Sequence, residues 1–295
     1  MIKIGLIGYS SISKKSTIPA IQQCDGVILD KIGTRDKRSG YTYQDILESD
    51  VDAIYVSLPV GLHYEWGKKV LESGKHLLLE KTFTETYNQA KELFDISEDL
   101  GLTCMEALMF QFHPLQSKIN DLLSEVGKIK SVESYFAFPH FENKNDIRYQ
   151  NAIGGGAKLD CLVYPLGFTF NILGYDYYDF EPITSWDSTN DIDEYGNIRI
   201  RYKNSLANIS YGFGHSYRNE ITIWGETASL TVRRVFSRPE ICDEKIHIIK
   251  NGQIKSHDVE NSNHFVNMLN EFSKLKPNNH LKEGTLERIK LIEKI

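Results

Sequence analysis

The chain has 295 residues, 41% hydrophobic and 25% charged, an ordinary soluble globular composition with enough material for two domains or one large one. Its 34 basic and 40 acidic side chains leave a net charge of −6, which excludes an overall basic field for nucleic acid or anionic lipid. No apolar run of about eighteen residues and no charged-then-apolar amino terminus occurs, so a cytoplasmic protein without a membrane span is expected. Cys24, Cys104, Cys161 and Cys242 form no C-x-x-C pair, and the nine histidines show neither H-x-H nor H-E-x-x-H spacing. Neither a disulfide framework nor a metal site is therefore expected.

In chain order, Ile2 to Ile7 reads as a strand meeting Gly8, with Tyr9-Ser10-Ser11-Ile12-Ser13 leading into helix-compatible sequence around Ile18, Ala20 and Ile21. This is the first unit of a dinucleotide fold: Gly8 permits the tight turn, and N–H groups at the helix start can take a pyrophosphate. The glycine fingerprint is incomplete, since Ser10 and Ser13 stand where the second and third glycines belong. A second strand, Val27 to Gly33, ends at Thr34-Arg35-Asp36-Lys37-Arg38. A hydroxyl and an arginine after strand two suit a ribose 2′-phosphate, which predicts NADP(H) over NAD(H). Ala53 to Pro59 is the third strand, and His63, Trp66, Gly67 and Val70 mark a helix face behind it.

The stretch Gly74-Lys75-His76-Leu77-Leu78-Leu79-Glu80-Lys81-Thr82 is a short buried strand that delivers Lys81 to the carboxyl edge of the sheet, where ligands of open α/β sheets sit. Thr86 and Gln89 have capping-box spacing before another helix, and Leu102 to Met105 is a last parallel strand. Beyond about residue 110 the pattern changes to period-two segments: Val132 to Phe138, Ile198 to Tyr202, Ala207 to Phe213, Ile221 to Trp224, Leu230 to Val232 and Ile246 to Ile248, the last followed by an Asn251-Gly252 hairpin turn. The predicted fold is α/β: an N-terminal doubly wound Rossmann domain over 1–110, and a C-terminal α+β domain with a large, mostly antiparallel sheet over 111–295. An apolar free face on that sheet, carrying Ile198, Ile200, Tyr202, Ile209 and Tyr211, predicts a homo-oligomer. Gly154-Gly155-Gly156 precedes a helix with Asp160 and Tyr164 at i and i+4, an acid and a phenol on one face for proton transfer with Lys81.

These motifs resemble the Gfo/Idh/MocA oxidoreductases. The matching stretches are Glu80-Lys81, Pro59 with His63, Met105 to Phe110 leading to His113-Pro114, Asp146-Ile147-Arg148-Tyr149, and the glycines with Asp160 and Tyr164-Pro165. Tyr164 is similar to the branch containing sugar oxidoreductases and nucleotide-linked sugar 3-ketoreductases, and the segments Ser216 to Glu220, Trp224-Gly225 and Arg234 to Pro239 resemble sheet segments of those 3-ketoreductases. The resemblance implies that Gly8, Tyr9, Ser10, Ser11, Ile12, Thr34, Arg35, Leu58, Pro59, His63 and Glu80 hold the dinucleotide, with Arg148 and Asp160 toward its nicotinamide. It implies Lys81, Tyr164 and Asp160 as catalytic residues, with Lys81, Tyr164, Tyr217 and Ser237 facing the sugar. The expected activity is NADPH-dependent reduction of a keto group, at position 3, on a nucleotide-linked deoxysugar. Arg218, Arg234 and Arg238, if they line the open sheet face, favour a diphosphate-bearing substrate over the alternative, a free aldose or related polyol oxidised with NADP. A cofactor-sensing regulatory protein is the alternative of another class, and the presence of Lys81, Asp160 and Tyr164 speaks against it.

Overall fold

The computed structural model describes residues 1–36, 39–187, 189–276 and 279–295. Lys37 and Arg38, part of the charged cluster after the second strand, lie outside the described residues. The chain divides into two compact units, one of Met1–Met109, Ala152–Gly154 and His264–Lys294, the other of Phe110–Asn151 and Gly155–Asn263.

The first unit is built on five parallel strands: β1 (Ile2–Ile7), β2 (Val27–Gly33), β3 (Ala53–Val56), β4 (His76–Glu80) and β5 (Cys104–Ala107), in the order β2-β1-β3-β4-β5. Helices α1 (Ile18–Gln22), α2 (Tyr43–Leu47), α3 (His63–Glu72) and α4 (Tyr87–Asp99) connect them. Central strands covered on both faces must be apolar throughout. All of β3 and all three leucines of β4 are accordingly buried. The spacing that predicts a capping box at α4 forms one: Gln89 N–H donates to Thr86 Oγ1 and Thr86 N–H to Gln89 Oε1, each at 3.3 Å. Strand order reverses direction between β1 and β3, so the crevice at their carboxyl ends is the expected ligand position of such a sheet. Gly8 and Ser57 follow those strands, and Lys81 follows the neighbouring β4.

The second unit carries α5 (Pro114–Val126), α6 (Val163–Leu173) and eight strands: β6 (Ile129–Phe138), β7 (Tyr177–Asp187), β8 (Ile192–Tyr202), β9 (Leu206–Phe213), β10 (Arg218–Gly225), β11 (Ser229–Arg233), β12 (Ile246–Lys250) and β13 (Gln253–His257). Their order is β13-β12-β11-β10-β6-β9-β8-β7, antiparallel except where β6 runs parallel to β9. Edge strand β7 has no sequence signature because it is solvent-exposed over most of its length and holds Pro182, which an edge tolerates. α6 packs on β6 and β9, and α5 on β10 to β12.

Two expectations are corrected here. Ile198, Ile200, Tyr202, Ile209 and Tyr211 belong to the covered face and are each at most 7% exposed, so they form core and not a free apolar surface. The period-two pattern identified a face correctly but could not say which side the helices cover. The N-terminal unit is also larger than 1–110, because α7 (His264–Phe272) and α8 (Asn279–Ile292) return to it. α7 packs against α1, and α8 against α4 and β5, with Ile289 in the core of the parallel-sheet unit.

Candidate active site

At the end of β1, Gly8 has φ +98°, and a Cβ there would stand 2.4 Å from Ser57 O. Glycine is required both by conformation and by the close approach. Ser10, which departs from the fingerprint, does the work of a cap: its Oγ accepts from Ser13 N–H at 3.1 Å and shares a hydrogen with Ser57 Oγ, tying the turn to the end of β3. Ser13 Oγ donates back to Ser10 O at 2.9 Å. The first N–H groups of a helix have no intrahelical acceptor, so the turn from Gly8 through Tyr9, Ser10, Ser11 and Ile12 fits a pyrophosphate despite its missing glycines. Tyr9 is exposed with the Lys14 ammonium 4.3 Å over its ring. After β2, Thr34 is held by its N–H to Tyr41 O (2.9 Å) and its hydroxyl to Ser39 Oγ (3.3 Å), while Arg35 beside it is exposed. Leu58 and Pro59 are half-buried at the end of β3.

His63, expected to contact the dinucleotide, is wholly buried. Its Nδ1 faces Thr82 O (2.9 Å) and Phe83 O (3.3 Å), and its Nε2 faces Leu58 O (2.8 Å). Burial holds its pKa below the ordinary histidine value, against the pull of those carbonyls, so the neutral ring has one N–H to give, from Nδ1 to the segment after Lys81 or from Nε2 to Leu58 O. In this arrangement its ring nitrogens face carbonyls of the chain itself, and the residue braces the crevice wall.

Glu80 is likewise behind the surface, 7% exposed. The hydroxyl of fully buried Tyr55 donates to its Oε1, Thr17 Oγ1 donates to the Tyr55 oxygen at 3.2 Å, and Lys81 N–H donates to Glu80 Oε2 at 3.1 Å. The Glu80 carboxyl thus fixes the backbone from which the half-buried Lys81 side chain departs, through a Lys81–Thr82 peptide that is cis. Burial raises the Glu80 pKa to about 7, with the Tyr55 bond and the Lys81 charge pulling the other way. A carboxyl raised on folding favours the native state most below its unfolded pKa, and that contribution is lost as pH rises through the folded value. Glu80→Gln keeps an acceptor for Tyr55 and removes the charge. Relative to wild type, it is expected to gain stability as pH rises from the ordinary glutamate range to about 7, and to change little above, by on the order of 3 kcal/mol in all. Urea titrations across that range measure it; parallel stability curves would contradict the assignment.

In the second unit, Asp146, Arg148 and Asp160 form one ion cluster. Arg148 Nε donates to Asp160 Oδ2 at 2.6 Å, and its Nη1 to Asp146 Oδ1 at 3.0 Å. Burial opposes the Arg148 charge, but Asp160 first and Asp146 second outweigh it and hold the pKa above the ordinary arginine value. Asp160, expected as a proton-transfer partner, is engaged as the carboxylate that orients Arg148. The helix after the glycines opens as a π turn, Lys158–Leu162, so α-helical i, i+4 spacing does not describe Asp160 and Tyr164. Tyr164 is 7% exposed, its ring packed against Phe136, Phe110 and Phe236 with centroids 4.9, 6.1 and 6.1 Å away.

The glycine turn has a buried organiser that the sequence does not announce. Asp193, 4% exposed, accepts from Lys158 N–H at 2.5 Å, and a Cβ on Gly156 (φ +110°) would stand 2.3 Å from its Oδ1. Gly156 N–H reaches Arg148 O at 2.9 Å and Gly155 N–H reaches Gln150 O at 3.0 Å, which joins the arginine segment to the turn.

Tyr217 and Ser237 come together, their oxygens 3.1 Å apart. Between them stands Asn219, also unforeseen, whose Nδ2 donates to Tyr217 (3.1 Å) and to Ser237 (2.9 Å). Of the three arginines expected on an open face, only Arg234 stays near this pair, its guanidinium 4.8 Å from the Tyr217 ring centre. Arg218 lies over Tyr135 and pairs with Glu220. Arg238 is buried, donating to the carbonyls of Glu244 (2.6 Å) and Cys242 (3.3 Å).

A dinucleotide turn and a strand-end lysine on a parallel sheet, in one chain with a second α+β unit that carries a polar side-chain cluster, define an NAD(P)-dependent oxidoreductase. Residues 2–108 match the family described as oxidoreductase family, NAD-binding Rossmann fold, and residues 122–231 match the GFO/IDH/MocA C-terminal domain. The chain belongs to the Gfo/Idh/MocA family. It is 34% identical over 263 residues to dTDP-3,4-didehydro-2,6-dideoxy-α-D-glucose 3-reductase of Actinomadura kijaniata, covering 84% of this chain and 79% of the relative. It is 28% identical over 287 residues to the enzyme of that name from Streptomyces antibioticus, covering 92% and 87%. Among solved structures, a 3-ketoreductase from Actinomadura kijaniata in complex with NADP and TDP-benzene matches with TM-score 0.94 and 30% identity, over 100% of this chain and 96% of that one. Among the described residues no helix is long and apolar enough to cross a membrane, and no group of three or more His, Cys, Asp or Glu side chains is placed to hold a metal ion.

Proposed function

We propose that the protein reduces the 3-keto group of a dTDP-linked deoxysugar with NADPH, in the cytoplasm. The observation that carries this reading is the match of nearly the whole chain to the Actinomadura 3-ketoreductase that holds NADP and a TDP ligand. The Gly8–Ile12 turn and Thr34 with Arg35 bind the dinucleotide, which when bound supplies the hydride. Glu80 and His63 hold the segment bearing Lys81, and Lys81 and Tyr164 handle the proton that the carbonyl oxygen takes up as it becomes a hydroxyl. Arg148, oriented by Asp160, supports the cofactor side, and Tyr217 and Ser237 contact the substrate.

The test is NADPH oxidation by the purified protein with dTDP-3,4-didehydro-2,6-dideoxy-α-D-glucose. Turnover is expected, with NADPH bound at least about tenfold tighter than NADH, a gap of about 1.4 kcal/mol. A second reading draws on D-xylose 1-dehydrogenase (NADP(+)) 2 of Haloferax volcanii, 33% identical over 58% of this chain. NADP reduction with D-xylose and no turnover of the keto sugar would favour it.

A homo-oligomer is also proposed, on a different surface from the one the sequence indicated. Strand register places Leu206, Ser131, Trp224, Ser229, Ile249 and Ile254 in one row across six strands of the uncovered sheet face, and Trp224 and Ile254 are 64% and 66% exposed. Four apolar side chains in that row, Leu206, Trp224, Ile249 and Ile254, support pairing with a second copy. Size-exclusion chromatography at micromolar concentration is expected to give a dimer or larger for wild type and a monomer for Trp224→Glu. A wild-type monomer would remove the proposal.

A further inference from the structure

We infer that Asn219 is a positioning residue that fixes the direction of hydrogen bonding in the Tyr217–Ser237 pair and leaves the Ser237 hydroxyl as an outward donor for an oxygen of the substrate. The inference rests on the nucleotide-sugar reading and specifies how one wall of that site recognises its ligand.

The argument is a count of donors and acceptors. Asn219 is 4% exposed, and its Oδ1 accepts from the N–H groups of Val235 (2.9 Å) and Phe236 (3.0 Å). The reverse amide orientation would aim an NH₂ group at two N–H donors, so Nδ2 is fixed as the donor to Tyr217 and Ser237. The Tyr217 oxygen also receives Arg234 Nη1 at 3.4 Å, which with Asn219 fills its two acceptor positions. Tyr217 therefore cannot accept from Ser237 as well, and the hydrogen between them runs from the phenol to the serine. Ser237 Oγ then accepts from both Asn219 and Tyr217. Its acceptor capacity is spent, and its own hydrogen remains to give. Tyr217 is 43% exposed and Ser237 half-buried, so a ligand can reach the pair. The atom that fits is an acceptor oxygen, which a nucleotide sugar offers on its sugar and on its diphosphate.

Calorimetric binding of dTDP and of dTDP-glucose tests this. Ser237→Ala is expected to weaken dTDP-glucose binding by about tenfold, the usual loss for one hydrogen bond. A loss with dTDP-glucose alone assigns the acceptor to the sugar, and the same loss with dTDP assigns it to the diphosphate. Asn219→Asp keeps the acceptor for Val235 and Phe236 but replaces the donor with an acceptor, which draws the Ser237 hydrogen inward. It is expected to raise KM for the keto sugar by about tenfold with kcat within about twofold, and to make the further change Ser237→Ala nearly silent. Additive losses, or Ser237→Ala binding both ligands as wild type does, would overturn the inference. A wild type that binds NADPH but neither dTDP nor dTDP-glucose would remove the nucleotide-sugar reading, and this inference with it.

Discussion

Replacing Lys81 by alanine is expected to lower kcat for the dTDP-linked keto sugar by roughly 10²- to 10⁴-fold while leaving NADPH affinity within about a factor of two. As hydride reaches a carbonyl carbon, charge accumulates on the oxygen, and a positioned proton donor lowers that barrier. Free lysine and tyrosine both titrate near roughly 10, which makes either residue type a proton donor at neutral pH. Tyr164→Phe is the milder companion change. The ring keeps its packing against Phe136, Phe110 and Phe236 and loses only the hydroxyl. A comparable fall in kcat is expected, and the double variant is expected to be little worse than either single one if the two groups pass one proton. Stopped-flow measurement of NADPH oxidation separates this chemistry from cofactor binding. Unchanged turnover in Tyr164→Phe would take the phenol out of the mechanism.

The parallel-sheet unit was legible because each signal was local. Apolar runs such as Leu77 to Leu79, the Thr86/Gln89 box and the glycine after β1 depend on neighbours a few residues away. Which strand-end residues face a ligand was less legible. Lys81 and Glu80 are adjacent in sequence, yet one side chain is half-buried at the sheet edge and the other points back to a phenol on β3. The buried partners that hold such groups are largely remote in sequence: Tyr55 lies 25 residues from Glu80, Asp193 35 from Lys158, and Asn219 18 from Ser237. Two of them carried a weak signal, a phenol inside an aliphatic strand and an amide on the inward face of β10, since buried polar groups require partners. Asp193 carried none. The sheet face was misassigned for a related reason: Ile198 and Ile200 alternate as they should, but alternation is symmetric and only the position of α6 breaks the symmetry.

Arg288→Ala is expected to destabilise the N-terminal unit by roughly 3–5 kcal/mol, the cost of stranding a buried charge. Arg288 and Glu106 each have side chains 2% exposed, and Arg288 Nη2 donates to Glu106 Oε2. Thr285 donates to the same carboxylate oxygen at 3.0 Å, and Phe83 N–H to the other at 3.0 Å. Without the guanidinium, a carboxylate on β5 keeps only neutral donors in a site closed to water, and the contact holding α8 is lost. Arg288→Met with Glu106→Gln removes both charges while retaining an acceptor for Phe83, so the pair is expected to recover more than half of the single variant's loss. Urea unfolding of the three variants measures this. Equal losses in the single and double variants would mean that Arg288 contributes packing and not charge. The role proposed for Lys81 ties the cluster to catalysis, because Phe83 lies two residues beyond Lys81 and its N–H is anchored by Glu106. The single variant, assayed where it remains folded, is therefore expected to lose kcat with NADPH affinity largely kept. Full activity in the folded fraction would confine Glu106 and Arg288 to holding the C-terminal helix in place.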